Sequence, residues 1–118
     1  MTFNQQDAST FLVIWEFVVQ PTKEQMFEQI YGPEGDWVQL FRQGHGYRGT
    51  KLIRDLDVSR HYVTLDFWES QTDYETFKVQ HAAEYKAIDQ KCEALTEEER
   101  EIGKFVIPET PREIRTEN

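Results

Sequence analysis

The period of the hydrophobic pattern changes at Ser70. From Arg60 to Glu69 the side chains alternate, placing Val63, Leu65 and Phe67 on one strand face and Tyr62, Thr64, Asp66 and Trp68 on the other. Beyond Ser70 the apolar positions are Tyr74, Phe77, His81, Tyr85, Ile88, Cys92 and Leu95, which follow one another at helical spacing and predict one continuous stripe. Ser70 with Asp73, or Thr72 with Glu75, supplies a capping-box start for that helix. The first strand face reads as ordinary core. The second, mixing aromatic and polar groups, reads as the wall of a cavity.

The rest of the chain falls into short elements. Phe11 to Val19 is apolar and β-branched except at Glu16, as in a strand covered on both faces. Thr22 and Gln25 form a second capping box after Pro21, and Met26, Phe27, Ile30 and Tyr31 share a helical face. Gly32-Pro33 stops that helix, and Asp36 restarts one carrying Trp37, Leu40 and Phe41, which ends at Gln43-Gly44-His45-Gly46. Tyr47 to Leu56 pairs with Arg60 to Glu69 through the turn Asp57-Val58-Ser59, an antiparallel hairpin. Thr96 to Glu99 reads as a further helical turn and Phe105-Val106-Ile107 as a last short strand closed by Pro108.

This order predicts an α+β domain of the ferredoxin-like βαββαβ plan, its first helix split, over residues 11–107. A loose arm (1–10) precedes it and a charged tail (108–118) follows. Helices cover one face of such a sheet. The first strand together with Tyr62 and Trp68 makes the other face too apolar for water, so two copies packed sheet to sheet, a dimeric α/β barrel, are expected.

Composition narrows the partners. Eight Phe, five Tyr and three Trp among 118 residues suffice for one core. A net charge of -9 without a basic cluster argues against nucleic acid and anionic membrane surfaces. A single cysteine excludes an intrachain disulfide, and no leader or long apolar run is apparent, so a cytoplasmic location is expected.

The candidate chemistry gathers around the Ser70 junction. Asp66, Trp68 and His81 are the candidate catalytic residues. Trp15, Glu16, Arg54, Tyr62, Thr64 and Trp37 are the candidate lining of the pocket, with Trp37 a lid over it or a staple for the split helix. A carboxylate desolvated among aromatics has a raised pKa suited to general-base work. The competing reading makes Asp66, Glu16 and Arg54 an ion-pair network across the dimer, and His81 a core histidine. His45 and His61 lack spaced partners, so no metal site is expected. Cys92 reads as a small buried apolar group. No phosphate loop or dinucleotide fingerprint occurs, so no cofactor is expected.

Four segments resemble the antibiotic biosynthesis monooxygenase superfamily: Val13-Ile14-Trp15-Glu16-Phe17, Pro21-Thr22-Lys23-Glu24, Gly46-Tyr47-Arg48-Gly49-Thr50, and Trp68-Glu69-Ser70 with a downstream histidine. The resemblance covers roughly Phe11 to Val106, and Gly-Pro-Glu-Gly-Asp-Trp at 32–37 is similar to an uncharacterised branch. It implies a dimeric α/β barrel and a cofactor-independent monooxygenase oxidising a small aromatic or polyketide-type substrate. The alternative is a non-catalytic ligand-binding or stress-associated dimer. Haem binding or degradation is a third reading; it would call for an Asn on the first strand, where this chain offers Trp15, Glu16 and Phe17.

Overall fold

A computed structural model describes residues 10–108; apart from Thr10 and Pro108, the arm and the tail lie outside the described residues. The elements are β1 (Thr10–Val19), α1 (Glu24–Tyr31), α2 (Asp36–Phe41), β2 (Tyr47–Arg54), β3 (His61–Trp68), α3 (Gln71–Gln80), α4 (Ala82–Cys92), a 3-10 turn (Glu93–Leu95) and β4 (Thr96–Ile107). The strands form one antiparallel sheet in the order β2-β3-β1-β4. This is the expected ferredoxin-like α+β plan with its first helix split. Among the described residues no helix is long and apolar enough to cross a membrane.

Register decides which face the helices cover. Phe11, Val13, Trp15 and Phe17 of β1 lie opposite Trp68, Asp66, Thr64 and Tyr62 of β3. Thr50, Leu52 and Arg54 of β2 flank the same row. Tyr62, Thr64, Asp66 and Trp68 are all buried, and the aromatic core under the helices is built from this face. Val63, Leu65 and Phe67, which read as ordinary core, instead lie half-exposed on the open face. Tyr62 and Trp68 are therefore not what makes the open face apolar. Alternation shows which residues share a face but not which face a helix will claim. The helices take the row with the larger rings, since those bury the most apolar area.

Three further expectations change. The stripe after Ser70 is not one helix: His81, at φ -117° and ψ 30°, separates α3 from α4. The Thr96–Glu99 helical turn is strand, because β4 begins at Thr96 and runs twelve residues along the sheet edge. Its charges, Glu97 to Glu101, suit an edge strand, where they discourage pairing with another chain. Finally, Thr22 caps nothing; it sits at φ 69° and the helix starts at Glu24 without a side-chain cap. In β4, Ile14 faces Gly103 while Trp15 faces Glu101, so Ile102 is the extra residue of a bulge.

The Ser70 start does form. Ser70 Oγ accepts from the Asp73 amide at 3.1 Å, and Glu69 N–H donates to Gly46 O at 2.7 Å, which ties the strand end to the loop before β2. Ser70→Ala is expected to cost about 1 kcal/mol of stability, checked by urea denaturation at constant slope.

Candidate functional site

Between the sheet and helices α1, α2 and α4 lies a cavity of about 430 Å³, its mouth included, lined by residues from every strand. Phe17, Trp15 and Thr64 form part of its floor. Tyr31, Trp37 and Phe41 come from the split helix and Tyr85 from α4. Trp37 packs edge-on against Tyr85 with ring centroids 4.9 Å apart, and against Tyr31 and Phe41 at 6.1 and 5.8 Å. It is thus both a wall of the cavity and the staple between α2 and α4. Its enclosed part admits only a few waters as it stands, and a multi-ring ligand requires the α2 wall to shift.

Asp66 is the buried acid of this cavity, with 8% of its surface exposed. Its Oδ1 accepts from Thr50 Oγ1 at 2.7 Å, and Thr50 Oγ1 lies 2.6 Å from the Tyr47 hydroxyl. With the Thr50 proton directed to Asp66, Tyr47 donates to Thr50, a three-group relay across β2 and β3. No cationic side chain pairs with Asp66 among the described residues. Burial therefore dominates and pushes its carboxyl up to about 7, the Thr50 hydrogen bond holding it back in part. Burial likewise raises the Tyr47 hydroxyl to about 12. The group that changes charge near neutral pH in this cavity is a carboxyl. The indole N–H groups of Trp37 and Trp68 are both buried without a hydrogen-bond partner.

Of the residues singled out in the sequence, Asp66, Thr64, Trp15 and Trp37 line this cavity; Trp68, His81, Glu16, Arg54 and Tyr62 do not. Trp68 is fully buried beside the cavity, packed against Phe41, Tyr47, Tyr74 and Phe77 at centroid distances of 5.2 to 5.8 Å. Gly44 passes so close that a Cβ there would lie 2.8 Å from Phe77 and 3.1 Å from Trp68. His81 stacks on Phe77 at 5.1 Å and pairs with Glu84 at 3.3 Å, at the break between helices. Glu16 lies on the open face, held by Arg100 at 2.6 Å and by His61 at 3.4 Å, and the Arg100 guanidinium keeps its carboxyl below the usual range. Arg54 reaches Glu28 at 3.8 Å, and the Tyr62 hydroxyl donates to Glu24 and Glu28. No network joins Asp66, Glu16 and Arg54, because Glu16 belongs to the opposite face and Arg54 to the far end of β2.

The sequence reading missed Thr50, Asp89 and Glu99. Thr50 was legible once β2 and β3 were read as a hairpin, since it stands opposite Asp66 in register. Glu99 was concealed by reading its segment as helix. His45, Glu69 and Asp73, which show no spacing in sequence, have ligand atoms within 4.8 Å of one another beside the Ser70 cap, with Arg48 paired to Glu69 at 3.2 Å.

The architecture is that of a single-sheet α+β domain of ferredoxin-like plan with a cavity between its sheet and helices. No protein-family model and no curated protein matches the sequence. Solved structures do match. SnoaB, a cofactor-independent oxygenase from Streptomyces nogalater, superposes in a mutant form with a TM-score of 0.65 at 19% identity, over 86% of this chain and 95% of that one. A Bordetella bronchiseptica protein provisionally called an antibiotic biosynthesis monooxygenase gives 0.60 at 20% identity, over 87% and 97%. A protein of Shewanella loihica provisionally called a monooxygenase gives 0.62 at 16%, over 86% and 96%. At these identities the likeness establishes the fold.

Proposed function

We propose that the chain is a cofactor-independent monooxygenase-like enzyme that oxidises a small aromatic in the cavity between sheet and helices. The observation that carries this reading is Asp66: a carboxyl buried in an aromatic cavity, free of any cationic partner among the described residues and poised near neutrality. Ionised, it takes a proton from a hydroquinone hydroxyl or from an activated ring carbon. The resulting anion is electron-rich enough to pass one electron to dioxygen, and recombination forms a carbon–peroxide bond. Loss of water then leaves a carbonyl, so that a ring CH₂ and O₂ become C=O and H₂O. The known oxygenase of the same fold supports this reading by analogy only.

The test is oxygen uptake by the purified chain with anthrones or hydroquinones and no added cofactor. Quinone formation matching the oxygen consumed is the expected result. A flat trace across the substrate panel would leave the alternative, a ligand-binding protein without turnover.

The working unit of this reading is a homodimer. On the open face Leu12 lies opposite Phe67 and Phe105, Ile14 opposite Leu65, and Ile53 opposite Val63. Ile53 and Phe105 are 50% and 43% exposed. A contiguous apolar sheet face of this kind is expected to be covered, and a second copy covers it by twofold symmetry.

A further inference from the structure

Resting on the reading of the cavity as the ligand site, we propose that its ligand is a cationic aromatic, a ring bearing a protonated amine. The reason is the sign of the charge on the walls. Three carboxyl groups line the cavity, Asp66, Asp89 and Glu99, and no Lys, Arg or His does so among the described residues. Asp66 is deep, on β3. Asp89 of α4 and Glu99 of β4 are the more exposed pair, on the solvent side. Neither Asp89 nor Glu99 has a salt bridge or a side-chain hydrogen bond among the described residues. Some other carboxylates of the domain are paired, Glu16 with Arg100, Asp36 with Lys91 and Glu97 with Arg60, but none of these lines the cavity. The carboxyl of Glu99 is raised by partial burial and by the neighbouring charges of Asp89 and Glu93, as befits anions held close without a counter-ion.

The remaining wall is aromatic: Trp15, Phe17, Tyr31, Trp37, Phe41 and Tyr85. Ring faces beside unpaired carboxylates form a cation-binding cage, because the negative face of each ring and the carboxylate charge attract the same ligand. Tyr85 already receives one cation: the Lys78 ammonium stands 4.4 Å from its centroid, outside the cavity lining. A ligand ammonium between Asp89 and Glu99 leaves its ring among the aromatic walls and its reacting hydroxyl toward Asp66. An anionic ligand of the same shape would meet like charge at the mouth, where the carboxylates are only partly screened.

The experiment is calorimetric titration of the whole chain with three isosteres: phenethylamine, 2-phenylethanol and 3-phenylpropionate. Phenethylamine is expected to bind at least about tenfold tighter than the alcohol, and the acid at least about tenfold weaker than the alcohol, the scale of a partly desolvated charge contact. The doubly substituted Asp89→Asn, Glu99→Gln chain should lose the preference for the amine while keeping its affinity for the alcohol. Equal affinities, or tighter binding of the acid, overturn the cationic ligand and leave the cavity as a ligand site. Loss of affinity for all three probes in the double variant also overturns it. Failure of all three to bind the native chain overturns the ligand-site reading itself, and the cationic ligand with it.

Discussion

Asp66→Asn is expected to lower turnover by about 10²- to 10⁴-fold, the range a positioned general base contributes, and at the same time to stabilise the folded chain above neutral pH. Both effects follow from one number. The carboxyl sits at about 7 in the folded chain against an ordinary 3.8. The folded state therefore holds a proton through this window that the unfolded state has released. Stability falls as pH rises from 3.8 to 7 and the full penalty is present above it. Three pH units at about 1.4 kcal/mol each put that penalty at up to ~4 kcal/mol. Asn keeps the acceptor for Thr50 and cannot ionise, so it removes the penalty. The variant should match the native chain in urea midpoint at low pH and exceed it increasingly through neutrality. In the native enzyme kcat/KM should rise through about the same pH, since the ionised carboxylate is the base. An inactive variant with no pH-dependent gain in stability would mean that Asp66 is not the buried, unpaired group described here. A gain in stability with full activity would remove it from the chemistry.

What the sequence made legible is what local rules determine. The Ser70 cap, the β2–β3 hairpin and the split after Gly32-Pro33 depend on residues within one turn of each other, and they stand where the pattern put them. Asp66 and Trp68 were correctly placed on one strand face. That they belong to different surroundings, a cavity for one and a solid aromatic cluster for the other, follows from how α2 and α3 cross the sheet, which no spacing encodes. His81 shows the limit of periodicity. It falls in step with the apolar stripe, yet the chain bends there, and the ring stacks on Phe77 and faces Glu84 instead of entering the cavity. Glu99 shows the converse: three consecutive glutamates hide a strand, because an edge strand open to water needs no apolar alternation.

The open face carries the second large effect. Leu65→Glu is expected to weaken self-association by about 10²- to 10³-fold without unfolding the domain, since taking the carboxylate out of water into an interface costs several kcal/mol, more than its cross-strand neighbour Lys51 returns there. Leu65 sits mid-sheet, between Ile14 of β1 and Lys51 of β2 in register. In a separated subunit Lys51 lies beside the new carboxylate and water reaches both, so the monomer tolerates the change. In a sheet-to-sheet dimer the same carboxylate is pressed against the partner's apolar face, and twofold symmetry brings a second one with it. Light scattering should report twice the 14.1 kDa chain mass for the native protein and the single-chain mass for the variant at micromolar concentration, with unchanged far-ultraviolet dichroism. Lys86→Glu, at an exposed position on α4 and so on the helical side of the sheet, is the control and should leave the native mass unchanged. A native chain that is monomeric, or a Leu65→Glu variant that remains dimeric, would show that the apolar row of Ile14, Leu65 and Phe67 is not covered by a second copy. The cavity would then lie within a lone subunit, with only the α2 wall and the edge strand β4 to close it.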